Sequence, residues 1–432
     1  MKRALLALAG AVALGCAAAR APASAAPEKP PDVAASEIGA RVDDVTIEAY
    51  GTTNPSIARR YLVLRKGSVV TQRGIARDYR NLAYLAGVRT RLEIRRAPSG
   101  GVVLHWIVLG PVFAPTDHPF YGDQPLSVPI EGFGTVLSSR PLDRDGSNLS
   151  LITQVALRAQ LARAVYTHPL WVDAATGREG DVIVDAYDAR GVFRESEPVT
   201  QDVYSWVQGD EALYLVRGTD GTQVEAGLRA LRSTSAKPTG IAAPSLIDTY
   251  GDAVRTVALE AGISHTCPVP PAQWYPPYCR VQYRIEAFDN VGGLGADAEY
   301  RQIFADAAQY TRVGSSTLAV HAALTRTGGV LPTSLLACAY TFGYAKSTCG
   351  TDTNLLQTEF RLADARPGPF KLILFTETAA SRIRGGDQPF APPTFQWRAD
   401  SGVGLQYREF RFNVASGSQG GRITYEVRGQ LF

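Results

Sequence analysis

The chain is poor in several residue types. Its 432 residues include one Met, five Cys and five His. No stretch supplies the roughly 18 consecutive apolar residues of a membrane-spanning helix, so a helical membrane bundle is excluded. Past Gly110-Pro111 there is no convincing amphipathic helix either. Positive and negative charges nearly cancel, at a formal net +3, which gives no basis for a nucleic-acid partner. A glycine-rich phosphate loop is missing. The histidines (His105, His118, His168, His265, His321) accompany no recognisable Ser or Cys nucleophile motif, which speaks against a hydrolase. No enzyme, cofactor or metal site is read. His321, in Leu318-Ala-Val-His-Ala-Ala, belongs on the polar face of a strand.

What is present begins with an export signature. Met-Lys-Arg precedes a short apolar run and Ala23-Ser24-Ala25, the form of a secretory signal peptide over residues 1–25. Leu14-Gly15-Cys16 offers a competing lipoprotein-type cleavage that would leave Cys16 acylated. Residues 26–44 read as a flexible linker. The other cysteines form two local pairs, Cys267 with Cys279 and Cys338 with Cys349, each in a loop-like stretch. In an oxidising compartment these fit two loop-stapling disulfides. No His pattern accompanies them, so a metal site is not expected.

Residues 45–110 read as a small α/β domain in the order βααββ. Asn54-Pro55 is a helix start, a capping side chain followed by Pro at the first helical position. Ile57, Tyr61 and Leu64 follow at helical spacing. Thr71 can cap a second helix, in which Ile75, Tyr79 and Leu82 share one face. Gly87 stands where a left-handed C-terminal cap would fall. Val88, Thr90, Leu92 and Ile94 line one side of a strand, and Ser99-Gly100-Gly101 connects it to Val102–Val108. With Gly51, Lys66-Gly67 and the Leu82–Gly87 run in their places, the segment resembles a POTRA module.

Residues 111–432 contain many alternating segments divided by Gly, Pro, Asp and Ser. In Val281–Phe288, Val281, Tyr283, Ile285 and Ala287 face one way, and Gln282, Arg284 and Glu286 the other. Apolar-out, polar-in alternation at period two is what a barrel in lipid requires. The length suits a transmembrane antiparallel β-barrel of 16 strands, so the fold class is mainly β. Val403, Leu405 and Tyr407 alternate, then Phe410, Phe412 and Val414 with shifted parity. A tight turn near Arg408-Glu409 would return both sets to one face. The last strand runs from Ile423 to Phe432, and an aromatic end resembles the outer-membrane sorting signal.

A POTRA module followed by a barrel resembles the BamA/TamA-like outer-membrane assembly superfamily. In that family a lumenal loop motif precedes two motif strands. Here Thr341-Phe342-Gly343-Tyr344 takes the loop's place, Glu359 and Arg361 lie on the next strand, and Phe375 and Glu377 on the one after. The motif's Arg is Phe342 here, and its Asp and Gly are Glu377 and Ala379. The usual loop ion pair is therefore absent. Glu377 should be solvated or find another cation, for which Arg361 is one candidate, and a Cys338–Cys349 staple would constrain the loop instead. The resemblance implies an outer-membrane protein with its POTRA domain in the periplasm. Its partners would be membrane lipid, extended client polypeptides and periplasmic chaperones. Clients would pass a seam between a first strand, about Ser127 to Ser139, and the last. The alternative is a passive channel or structural barrel.

Overall fold

A computed structural model describes residues 33–50, 54–86, 88–109, 132–138, 142, 146–156, 159–194, 202–236, 253–265, 281–297, 299–329, 337–339, 341, 348–362, 370–382, 394–407, 410–417 and 420–427. Cys16, Gly51, Gly87, Cys267, Cys279, Phe342, Gly343, Tyr344 and Phe432 lie outside these.

The N-terminal unit follows the expected order. Strand β1 (Val42–Tyr50) begins three residues before the expected boundary. Helix α1 (Pro55–Arg60) starts at Asn54, whose side chain accepts from the Ser56 N–H at 3.0 Å. Helix α2 (Gln72–Arg80) starts at Thr71, whose hydroxyl accepts from the Gly74 N–H at 3.0 Å. These caps satisfy N–H groups that a helix start leaves orphaned. A wider π turn, Asn81–Leu85, continues α2. Strands β2 (Arg89–Arg96) and β3 (Val102–Leu109) complete a sheet of order β1-β3-β2, with β1 parallel and β2 antiparallel to β3. Its core gathers Trp106, Leu104, Val108, Leu62, Ile75 and Leu82, all fully buried.

One detail of the helical spacing differs. Helix α1 stops at Arg60, so Tyr61 caps its end and Leu64 lies beyond it, although both are buried. The physical cause is Asp78 on α2. Its carboxylate takes the Val63 N–H at 2.6 Å and the Leu64 N–H at 3.2 Å, which gives those amides an alternative to a longer helix. Burial pushes the Asp78 carboxyl up to about 7, against the downward pull of the two amides.

The larger part is one antiparallel meander. It runs through β4 (Gly132–Ser138), β5 (Asn148–Ala156), β6 (Ala159–Asp173), β7 (Arg178–Arg194) and β8 (Asp202–Gly218). It continues through β9 (Thr222–Ala236), β10 (Ala253–His265), β11 (Val281–Asn290), β12 (Tyr300–Val313) and β13 (Ser316–Gly329). A short ribbon follows, β14 (Ala337–Ala339) paired with β15 (Thr348–Gly350). The meander ends with β16 (Asp352–Leu362), β17 (Phe370–Arg382), β18 (Gln396–Tyr407), β19 (Phe410–Gly417) and β20 (Gly420–Val427). Each strand pairs with its neighbours in sequence, the ribbon aside, giving fifteen strands among the described residues where sixteen were expected. Strands β4 and β20 are its edges, and no pairing between them is described.

The two faces differ in the expected sense. Ile285 is 45% exposed while Glu286, one residue on, is buried. Leu374, Val403, Val414 and Ile423 are exposed and stand directly opposite one another on successive strands. Leu372, Leu405 and Phe412 form the next rung. The register of β18 with β19 thus sets both alternating sets on one face, as their parity required. An apolar ladder this continuous has a natural solvent in hydrocarbon, not water. No helix among the described residues is long and apolar enough to cross a membrane, which says nothing of crossing by strands.

Candidate functional site: the buried polar face and the docked α/β unit

The inward face of β13 to β19 carries the motif strands. Glu359 and Arg361, two apart on β16, point to the same side and pair at 2.7 Å. The second oxygen of Glu359 takes Arg411 from β19, three strands away. Arg411 Nε donates to Asn413 Oδ1 at 2.6 Å, and its guanidinium lies 5.4 Å from the Phe375 ring centre. Arg361 likewise lies over Tyr310, at 5.8 Å. Glu359, Arg361 and Arg411 are each no more than 1% exposed.

Two glycines on β18 make this reach possible. A Cβ on Gly402 would meet the Phe375 ring at 2.6 Å, and one on Gly404 would meet Arg411 Nε at 3.0 Å. Without side chains there, the Phe375 ring and the Arg411 guanidinium lie across β18. A buried carboxylate between two guanidiniums is held by geometry that removing either partner would expose as a cost.

A second row crosses the same strands. Asp306 on β12 faces His321 Nε2 at 2.7 Å, and His321 Nδ1 faces Gln357 Oε1 at 2.8 Å. Gln357 Nε2 donates to Glu377 Oε1 at 2.6 Å. His321 is therefore on the polar face in a hydrogen-bonding role. Glu377, for which Arg361 was one candidate cation, lies on the same buried face as Arg361. Arg361 is taken by its own-strand neighbour Glu359, and Glu377 stands opposite Gln357 in register.

Of the expected loop motif, Thr341 is described and buried. No disulfide is described. The backbone register nevertheless sets Cys338 directly opposite Cys349 on the ribbon. Glu225, Glu260 and Glu286 bring carboxylate oxygens within 4.8 Å of one another on three adjacent strands. Arg284 pairs with Glu286, and Arg229 stands 4.0 Å from Glu260, so guanidiniums already face two of the three carboxylates.

The α/β unit meets the sheet at one end. Tyr61 Oη donates to Glu179 Oε1 on β7 at 2.6 Å, and Arg217 on β8 holds the other oxygen at 2.9 Å. Burial raises the Tyr61 phenol far above its usual range, so it stays a donor. Asn81 Nδ2 donates both to Tyr61 O and to Ala174 O in the β6–β7 turn, each at 2.9 Å. Val172 packs on the unit's core, and a Cβ on Gly146 would meet Ile57 at 3.3 Å.

Of the residues singled out in the sequence, Glu359, Arg361, Phe375 and Glu377 share one buried face; Arg411, Asn81, Glu179 and Arg217 were not among them, and Tyr61 was read only as a helix position. The one local signal was Gly402-Val403-Gly404, a glycine alternation in a strand that marks a close approach.

No family model and no curated protein matches the chain. Solved structures do. BamA from Haemophilus ducreyi lacking POTRA domains 1–3 aligns with a TM-score of 0.60 at 13% identity, over 88% of this chain and 83% of that one. CdiB from Escherichia coli aligns at 0.53 and 10% identity, over 90% and 76%. CdiB from Acinetobacter baumannii aligns at 0.51 and 11%, over 90% and 73%. Likeness at such identity speaks to fold. In fold, the chain is similar to the BamA and CdiB barrels.

Proposed function

We propose that this chain is an outer-membrane barrel that assists the insertion or translocation of client polypeptides. The observation that carries the reading is the joint one of fold and polarity. The sheet aligns with BamA and CdiB, and it bears an exposed apolar ladder on one face and buried charges on the other. The N-terminal unit is a POTRA module in the periplasm. It takes an extended client strand by β-augmentation, and the outer edge of β2 has no partner strand among the described residues. Periplasmic chaperones would deliver such clients.

Sixteen strands are supported by parity. With fifteen antiparallel strands, β4 begins at the end of the sheet opposite to the one where β20 finishes. The α/β unit docks on the β6–β7 turn, at the finishing end of β20. An even count, sixteen, would place both ends of the sheet on the unit's side. A Cys338–Cys349 disulfide is supported by register, because directly opposed residues of an antiparallel pair have Cα atoms about 4.5–5.5 Å apart, within disulfide range.

The buried pairs that tie β16 to β19 favour a second reading, a passive channel or structural barrel with a stiff wall. Depletion followed by quantification of other outer-membrane barrels separates the two. Falling barrel levels support the assembly role. Unchanged levels, with bilayer conductance that persists without residues 45–110, support the channel. Heat-modifiable gel migration tests the barrel itself.

A further inference from the structure

We infer that the helical side of the α/β unit is a binding surface for anionic phospholipid headgroups of the adjacent leaflet, carried by Arg65, Lys66, Arg73 and Arg80. The inference rests on the reading that the strands cross a membrane, and on no particular client activity.

Charge is spread very unevenly along the chain. Residues 54–86, which hold both helices, contain seven Arg and Lys and one acid, a formal +6. The whole chain is +3, so everything else sums to −3. The one acid, Asp78, is fully buried and occupied with the Val63 and Leu64 amides. The charges that this segment shows to the outside are therefore cations alone. The open face of the sheet is different, because Glu48 and Glu93 stand there among His105, Arg91 and Arg95.

Helical period gathers the cations. Arg73, Arg77 and Arg80 recur at i, i+4 and i+7 on α2, a stripe opposite the side that buries Ile75 and Leu82. Three of the seven cations face the protein itself. Arg77 has Asp173 as a neighbouring charge, Arg60 has Asp181, and Arg59 donates to the Val45 carbonyl. Arg73 and Arg80 are exposed, as are Arg65 and Lys66 in the α1–α2 connection.

The unit's contact with the sheet sets this stripe at the membrane boundary. Asn81, next to Arg80, holds the Ala174 carbonyl in the β6–β7 turn. Trp171, three residues before Ala174, donates from Nε1 to Tyr214 Oη at 2.9 Å, and the exposed Tyr214 shares its face with Val184. A Trp and a Tyr on the lipid side mark the headgroup level. Three residues of strand span about 10 Å, and the Debye length at physiological salt is about 8 Å, so the stripe feels the charge of that surface. A helix offers no backbone edge to an extended polypeptide, since its own turns use the amides. Long cationic side chains on its outside suit a plane of phosphates.

The test is photocrosslinking on the full chain in nanodiscs of three parts phosphatidylcholine to one part phosphatidylglycerol. p-Benzoylphenylalanine replaces Ala76, beside Arg73 and Arg80 on α2, in one sample, and Leu405, on the apolar ladder, in another. Mass spectrometry of the adducts identifies the captured lipid. The Leu405 position should capture both lipids in proportion to supply. The Ala76 position should capture phosphatidylglycerol about fivefold or more above its share, the effect of one cation near a charged surface. Arg73→Gln with Arg80→Gln should bring that excess down toward proportion, and so should high salt. Heat-modifiable migration confirms folding, and the salt series carries the test if the double variant does not fold. The inference is overturned if Leu405 captures lipid while Ala76 captures none, or captures the two in proportion to supply. It is also overturned if an added poly-glutamate peptide is captured at Ala76 in preference to phosphatidylglycerol. No lipid at Leu405 would refute the membrane reading, and the inference with it.

Discussion

Asp78 makes the α/β unit sensitive to pH in a direction opposite to most carboxylates. Its carboxyl is buried beneath Val63 and Leu64, and burial lifts it from 3.8 to about 7. Between those values the folded unit binds a proton that the unfolded chain has lost. Stability therefore falls as pH rises from about 4 to about 7. The penalty is fully present above pH 7 and relieved below pH 4. A displacement of about 3 units corresponds to about 4 kcal/mol. Amide hydrogen exchange reads this locally. After correction for the intrinsic rate, protection of the Val63, Leu64 and Ile75 amides should fall by about three decades between pH 4 and pH 8. Asp78→Asn keeps an acceptor of the same size and carries no charge, so its protection should be flat across that range. Pairing at Asp78 by another cation would make the native profile flat as well, and a flat native profile would refute the reasoning.

Other perturbations test the larger sheet. Arg411→Met leaves Glu359 with one of its two guanidiniums and should destabilise the folded barrel by about 3 kcal/mol, seen as a lower temperature for heat-modifiable migration. Val403→Arg places a charge on the exposed apolar ladder and should cost about 2–4 kcal/mol in bilayers if that rung lies near mid-depth. Equal stability in lipid would show that the ladder does not face hydrocarbon. Cys338→Ser, or reduction, should raise protease cleavage between residues 330 and 351, and unchanged cleavage would argue against the staple.

Much of the fold was legible because its signals are local. Asn54 and Thr71 announce their helices through side-chain acceptors two and three residues from the amides they cap. The parity change between Val403-Leu405 and Phe412-Val414 located a hairpin because alternation has period two. The site was less legible because its partners are distant in sequence. Glu359 meets Arg411 across 52 residues, and Tyr61 meets Glu179 across 118. No spacing rule joins such positions, which meet only after the sheet curls and the unit docks. Leu64 fell outside its helix because Asp78, from another element, captured the amides that would have extended it.

The meander has a consequence for how the chain can assemble. From β4 to β20, every pairing except β13 with β16 joins consecutive strands, and that exception spans only the ribbon. The sheet can therefore grow hairpin by hairpin, with each added strand closing a short loop at modest entropic cost. One join differs from all others. Closing the proposed barrel, by bringing the two ends of the sheet together, would close a loop as long as the sheet's own sequence, so it would belong at the end of folding. Until then the growing wall presents open backbone at both edges, and the chain passes through a stage in which it is itself a client in need of a partner strand.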